Sequence, residues 1–360
     1  MKLLIKHLLI LSLIVPSIIY ANDFEGRYTR EKKLSKSYNV NSDAKLQIEN
    51  KYGNIEISPW DRDEISIEVV IRVTGNSESK VEDKLDDIDI EFSGNKSLVY
   101  AKTHIESSNS WFNWFSTNVN YKINYYIHVP INSMLDIKNK YGDTFIEESK
   151  GEVILTHDYG KIVLGTLLNE RNEIDMDYSN LEADYIKNAG ISLDYSDFSV
   201  GELESFTLNA DYSHIDLGKA IKGSYDLDYG GLSIEAINIL EGDSDYTDIR
   251  VDLLGKAANL SADYGKITIG LVSDALESLT IDTDYTGIKI GYAESSNFNF
   301  EINSKYTDVE GINDDLFNLD YRNEKSSSKH LKGSFGRSAT DHSININSSY
   351  GHIKFRKKFN

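Results

Sequence analysis

The feature that most narrows the fold is a phrase that keeps returning. Tyrosine followed by Gly, Ser or Thr stands at Tyr141, Tyr159, Tyr178, Tyr195, Tyr212, Tyr229, Tyr246, Tyr264, Tyr285 and Tyr306, at spacings of 17 to 21 residues. Outlying copies stand at Tyr52 and Tyr350, and Tyr321 reads as a worn one. Aligned on the tyrosine, the apolar positions are −4, −2, +3 and +5: Leu208, Ala210, Ile215 and Leu217 around Tyr212, and Leu260, Ala262, Ile267 and Ile269 around Tyr264. Alternation on each side means strand, and the slip in parity across the Tyr-[Gly/Ser/Thr] pair means that the strand turns a corner. A unit this short cannot bury its apolar row alone; stacked on copies of itself it forms a continuous core. The expectation is an all-β chain, a parallel β-solenoid of about 17–21-residue coils, rising ~4.8 Å per coil and on the order of 43 Å from Tyr141 to Tyr306. Outside the first 21 residues the only prolines are Pro59 and Pro130, and neither interrupts the array, as unbroken ladders require.

The tyrosines themselves fall two positions after an inward residue, a phase that predicts corner or core fillers, large apolar bodies with a polar tip. The rival reading is an aromatic strip that stacks sugars. A Gly often follows position +5, as at Gly201, Gly218, Gly270 and Gly291, where the backbone can relax into a second turn.

Around the array, "MKLLIKHLLILSLIVPSIIYA" reads as a signal peptide over residues 1–21, with a basic start, a short apolar core and a small residue at the exit. Its apolar run is shorter than the ~20 residues of a spanning helix, and no later segment qualifies. Residues 22–140 read as a β-rich region. It holds a first coil at 45–58 and one short helix near 79–88, where Val81, Leu85 and Ile88 have helical spacing and Ser79 with Glu82 spells a capping box. The solenoid repeats occupy 141–322, a polar loop 323–343, and a final coil with a basic cap 344–360. In that cap Lys354, Arg356, Lys357 and Lys358 are expected to guard the terminal edge strand against end-to-end pairing.

The chain has no cysteine, which excludes disulfides, thiolate metal sites and a lipidated cysteine anchor. Its net charge is −20, and loss of Lys2 and Lys6 with the leader takes it to −22. Such a field repels nucleic-acid phosphates, and no basic stripe offsets it. Much of the charge is patterned: Asp158, Asp177, Asp194, Asp211, Asp228, Asp245, Asp263 and Asp284 each precede a repeat tyrosine. In register these carboxylates form a column. Neighbours ~4.8 Å apart repel by only about 1 kcal/mol in water, whereas each buried Ile or Leu contributes roughly 1.5–3 kcal/mol. The column can therefore exist as a solvated face with no cofactor. The alternative is a Ca²⁺ column thickened by Asp175, Asp226, Asp243 and Asp282 at position −3, although the glycine-rich nonapeptide of calcium-binding β-rolls is missing.

"WFNWF" places Trp111, Phe112, Trp114 and Phe115 between polar flanks. Exposed aromatics of this kind mark partner-binding sites; the rival is a tip folded back onto the rod. Catalysis finds little support, since the eight histidines are scattered and no Gly-x-Ser-x-Gly, His-Glu-x-x-His or Walker sequence occurs.

"KYGNIEIS", the "YYIHVP" strand before "LDIKNKYGDTFIE", the DYG/DYS/DYT run and the closing "SSYGHIKF" together resemble the bacterial putative-adhesin family of exported β-solenoids, from about Lys45 to Phe355. The resemblance implies an envelope or surface location and a non-enzymatic role, and it carries no functional residues across. The reading is an exported, acidic, adhesin-like binding or envelope-organising protein, located in the periplasm, on the outer-membrane surface or outside the cell. Its expected partner is an envelope or surface protein or glycan. The alternative is a carbohydrate-active β-helix enzyme, a polysaccharide lyase or hydrolase.

Overall fold

A computed structural model of the chain describes residues 26–106, 119–313 and 315–358. The leader expected at 1–21 and the aromatic motif at 111–115 lie outside the described residues. The fold is all-β with one short helix, built around a large, mostly parallel sheet. No described helix is long and apolar enough to cross a membrane.

The repeat dictates the pairing. Leu193 lies opposite Ala210 and Ala210 opposite Leu227, while Phe198 lies opposite Ile215, so that each apolar position stacks on the same position of the next repeat. Leu208, Ala210, Ile215 and Leu217 are all buried, and Asn209, Asp211 and Asp216 between them are exposed. This is the period-2 pattern of strands with one face in the core. The repeat at 45–58 joins the same array: Leu46 pairs with Leu135 and Ile55 with Thr144.

Each corner turns on its tyrosine. Twelve of them, from Tyr52 to Tyr350, have φ between 49° and 62°, a left-handed conformation that costs a side-chain-bearing residue roughly 1–2 kcal/mol. Simple alternation would point the tyrosine inward two residues after position −2. The positive φ turns it outward instead, and the next residue takes the inward place. Hence Ser196, Ser213, Thr247 and Thr286 are buried, and each hydroxyl donates to the carbonyl two residues before it, at 2.8–2.9 Å. The same hydroxyls accept from the neighbouring repeat, as in Ser179 N–H to Ser196 Oγ at 3.1 Å and Ser196 N–H to Ser213 Oγ at 3.0 Å. Where the repeats approach more closely the residue is Gly: a Cβ on Gly142 would stand 1.9 Å from the Gly53 carbonyl oxygen. The ladder is not broken at the corner, since Tyr212 N–H still reaches the Asp228 carbonyl at 2.9 Å. The core-filler expectation is thereby corrected: these side chains are 38–63% exposed.

The N-terminal end is closed by antiparallel additions. Leu98–Ile105 lies along the repeat strand Lys45–Lys51, and Ile88–Gly94 pairs antiparallel to it. Val119–Pro130 lies along Ile55–Trp60 and continues antiparallel into Glu64–Gly75 and Tyr28–Asn39. The helix Glu78–Asp86 buries Val81 here, but its N-cap is Ser77 with no side-chain capping bond. The expected capping box is absent because the helix begins two residues earlier than that motif requires, which puts Ser79 inside its first turn; Glu82 is engaged by Arg30 at 3.1 Å.

At the other end the sequence order misleads. The final repeat is not an edge: Ser343–Ser349 lies between Ser278–Asp284 and Phe298–Lys305, and His352–Lys357 between Gly287–Tyr292 and Asp308–Glu310. Its basic residues do not cap the end, and Lys354 and Lys357 pair with Glu310 and Glu294 at 3.0 and 3.2 Å. The expected polar loop is largely strand. An antiparallel hairpin, Phe317–Lys325 with Ser328–Phe335, forms the outer edge. That edge is blunted by Asp320, Arg322, Glu324 and Lys325 and by a register shift between Leu319 and Tyr321. Tyr321 is thus a hairpin residue and not a repeat corner. Buried Phe298, Phe300, Phe335, Phe355 and Tyr292 plug the core behind it.

Candidate binding face: a tyrosine ladder beside an acidic column

Because every repeat turns its tyrosine outward in the same register, the rings stack. The order along the molecule is Tyr52, Tyr141, Tyr159, Tyr178, Tyr195, Tyr212, Tyr229, Tyr246, Tyr264, Tyr285, Tyr350, Tyr306, with centroids 4.8–5.2 Å apart and planes within 2–17° of parallel. Tyr350 enters between Tyr285 and Tyr306 because the final repeat enters there. Offset stacking contributes about 0.5–1.5 kcal/mol per pair beyond area burial, the same order as the left-handed strain at each corner. Tyr52 is met edge-on by Tyr121 at 5.3 Å, whose phenol is pushed up to about 12 by burial.

This geometry decides what the strip can offer. Each interior ring has both faces covered by its neighbours, so sugars cannot stack on them. What remains exposed is a row of ring edges and hydroxyls, on the order of 54 Å long at the observed spacing.

The eight aspartates run beside it. Asp158 lies opposite Asp177, Asp194 opposite Asp211, Asp211 opposite Asp228, and Asp263 opposite Asp284. Lysines bound the column. Lys140 is in register with Asp158 and reaches its carboxylate at 2.7 Å, while at the far end Asp284 is followed across the sheet by Ser349 and then Lys305. The carboxyls of Asp177 and Asp228 are held above the usual range, by desolvation first and then by the charges of neighbouring aspartates. Asp175, at position −3, is raised for the same reasons. Among the described residues no group of three or more His, Asp or Glu side chains converges closely enough to hold a metal ion.

One buried polar group escaped the sequence reading. His157 occupies the inward −2 position that holds Met176, Leu193 and Leu227 in later repeats, and it is fully buried. Its Nδ1 meets Ser179 Oγ at 3.0 Å, and its Nε2 has no partner. Burial lowers its pKa from 6.5 to about 4. The pair is not an accessible nucleophile and base, since Ser179 is buried and donates to the Asp177 carbonyl at 2.9 Å. The neighbouring −2 residues Asn50 and Asn139 are also polar but satisfied: Asn50 Nδ2 reaches Asn139 Oδ1 at 3.3 Å, and Asn139 Nδ2 the Gly53 carbonyl at 3.2 Å. The sequence signal was available, a histidine in an apolar phase.

No family model and no curated protein matches the chain. Among solved structures, the chain is similar to a putative adhesin from Parabacteroides merdae at 9% identity, covering 91% of this chain and 97% of that one, with a TM-score of 0.32. It is similar to a putative adhesin from Parabacteroides distasonis at 10% identity, covering 72% and 90%, with a TM-score of 0.31. A putative lipid binding protein from Parabacteroides distasonis matches at 10% identity over 91% and 97%, with a TM-score of 0.29.

Proposed function

We propose that the chain is an exported, non-catalytic binding or envelope-organising protein, adhesin-like in role, whose repeats wind as a parallel β-solenoid to hold a long outer face in register. The winding is supported by the one-repeat step, 17 to 21 residues, of the parallel registers from Leu135 to Ile290 and by the strand His214–Asp263, which continues through the corners at Tyr229 and Tyr246. Drawn straight, those 50 residues would span roughly 165 Å at the ~3.3 Å rise of a strand, so they must fold back on themselves.

The observation that carries the functional reading is the exposed row of twelve stacked tyrosines. A contiguous aromatic strip of this length on a soluble surface marks a place where a partner docks, and tyrosine combines a large apolar body with a hydrogen-bonding tip. The adjoining acidic column favours partners with cationic groups, and extends their capture over about a Debye length. Nothing about the strip requires chemistry: the histidine best placed to accept a proton is buried, and the exposed carboxylates form an even line.

The test is retention of purified protein on washed envelope fractions, comparing the wild type with Tyr195→Asn/Tyr212→Asn/Tyr229→Asn. Asn tolerates the left-handed corner, so the triple variant removes rings while sparing the turn. The expected result is at least about a tenfold loss of retention, on the scale of about 1.4 kcal/mol, with the far-UV spectrum unchanged. Unchanged retention would sink the reading, and release of reducing sugar abolished by one carboxylate substitution would replace it with the lyase or hydrolase.

A further inference from the structure

Away from the middle of the ladder, the outer face of the sheet bears a groove of about 570 Å³ at its C-terminal end, within the size range of small-ligand sites. It exists because the final repeat and the terminal hairpin extend the same face beyond the last aspartates. The outward row reads Asp263, Asp284, Ser349, Lys305, Ser328, Lys325 across consecutive paired strands. One wall is therefore acidic and the other basic, with Ser349 between. Backbones two strands apart are ~9.6 Å from each other, and among the described residues Asp263, Asp284, Lys305 and Lys325 make no ion pair.

The floor is polar as well. Asn303 Nδ2 donates to Asn347 Oδ1 at 3.1 Å and Asn347 Nδ2 to Asp282 Oδ1 at 2.6 Å, which leaves further amide capacity on Asn303.

We propose that this groove binds short peptides with free termini, the α-ammonium group at Asp263 and Asp284 and the α-carboxylate at Lys305 and Lys325. A single amino acid carries its charges on one α-carbon and cannot span two walls two strands apart. An extended di- or tripeptide can, at roughly 3.3–3.6 Å per residue, and its amides suit the asparagine floor. The groove shares Asp263 and Asp284 with the acidic column but is lined by no ladder tyrosine, so peptide binding and ladder-dependent retention are measured independently.

The experiment is calorimetric or NMR titration of the purified protein with trialanine, N-acetyl-trialanine, trialanine amide and inorganic phosphate, repeated with Asp284→Asn and Lys305→Gln. Trialanine should bind saturably at one site. Blocking either terminus should weaken it at least about tenfold, on the scale of about 1.4 kcal/mol. Asp284→Asn should weaken trialanine while leaving the acetylated peptide unaffected, and Lys305→Gln should do the same for the amide. Absence of saturation up to about 10 mM, equal affinity for free and blocked peptides, or phosphate binding lost in Lys305→Gln while trialanine binding persists would overturn the proposal. The blocked peptides keep the test decisive on the wild-type protein should either variant misfold.

Discussion

Replacing His157 with leucine should remove a pH-dependent weakness from the core. The unfolded imidazole titrates at its ordinary 6.5, whereas burial holds the folded one near about 4. Above pH 6.5 both states are neutral and the group contributes no slope. As the pH falls from 6.5 towards 4 the unfolded state takes up a proton that the folded state refuses, so stability is lost across that window. The two values differ enough to cost about 3 kcal/mol once the pH is below both, and about 2 kcal/mol at pH 5. Leucine suits the slot, which holds Leu193 and Leu227 in later repeats, and Ser179 keeps its bond to the Asp177 carbonyl. Urea unfolding of wild type and His157→Leu at pH 7.5 and pH 5 isolates the effect, because the surface carboxylates contribute equally to both proteins. The advantage of the variant should be about 2 kcal/mol larger at pH 5. An advantage independent of pH would refute the reasoning, since it would mean that the imidazole is protonated in the fold or reached by water.

The acidic column gives the opposite sign. Asp228 is raised by burial and by Asp211, Asp245 and Asp226, so it destabilises the charged fold, and the penalty disappears as the pH falls through its folded value. Asp228→Asn should raise the melting temperature at pH 7 by relieving at most about 1 kcal/mol per neighbour, and should have no effect near pH 3. Melting in excess EDTA and in millimolar Ca²⁺ should coincide if the column is a solvated face; stabilisation by Ca²⁺ that the Asp228 variant loses would establish the metal column instead. Truncation after His342 removes buried Ile344, Ile346, Ile353 and Phe355, each contributing roughly 1.5–3 kcal/mol, and opens a gap between Ser278–Asp284 and Phe298–Lys305. Limited proteolysis of the truncated chain should therefore cut between residues 293 and 342 while the earlier repeats survive, a local failure expected of a stacked array.

What the sequence disclosed and what it hid divide along physical lines. Inward positions such as Leu208, Ala210, Ile215 and Leu217 were legible because period-2 burial is written directly into the chain. The parity slip at Tyr-[Gly/Ser/Thr] was legible too, but not its sense. Only the left-handed φ decides that the tyrosine turns out and the next hydroxyl turns in, and a bulky aromatic is an unusual occupant of that region. The place of the final repeat was hidden because spacing along the chain says nothing about adjacency when a later segment can enter a gap. Ser79 and Glu82 spell a capping box, yet the helix starts at Glu78 after Ser77, and Glu82 is instead engaged by Arg30 from a strand 52 residues away. The acidic column and its reversal at Lys305, which stands before Tyr306 in the same phase, are legible from the repeat alone, whereas the placement of Lys325 beyond it depends on the hairpin.

The claim on which the account rests is that the repeat tyrosines form an exposed row used for docking. Acetylation of phenols with N-acetylimidazole, mapped by mass spectrometry with and without envelope fractions, tests both halves at once. The account predicts that Tyr178 through Tyr285 react in the free protein while buried Tyr125 and Tyr225 do not, and that contiguous ladder positions become protected on binding. Ladder phenols as inert as Tyr125 would contradict the fold at its corners, and reactive phenols left unprotected in the bound protein would contradict the function.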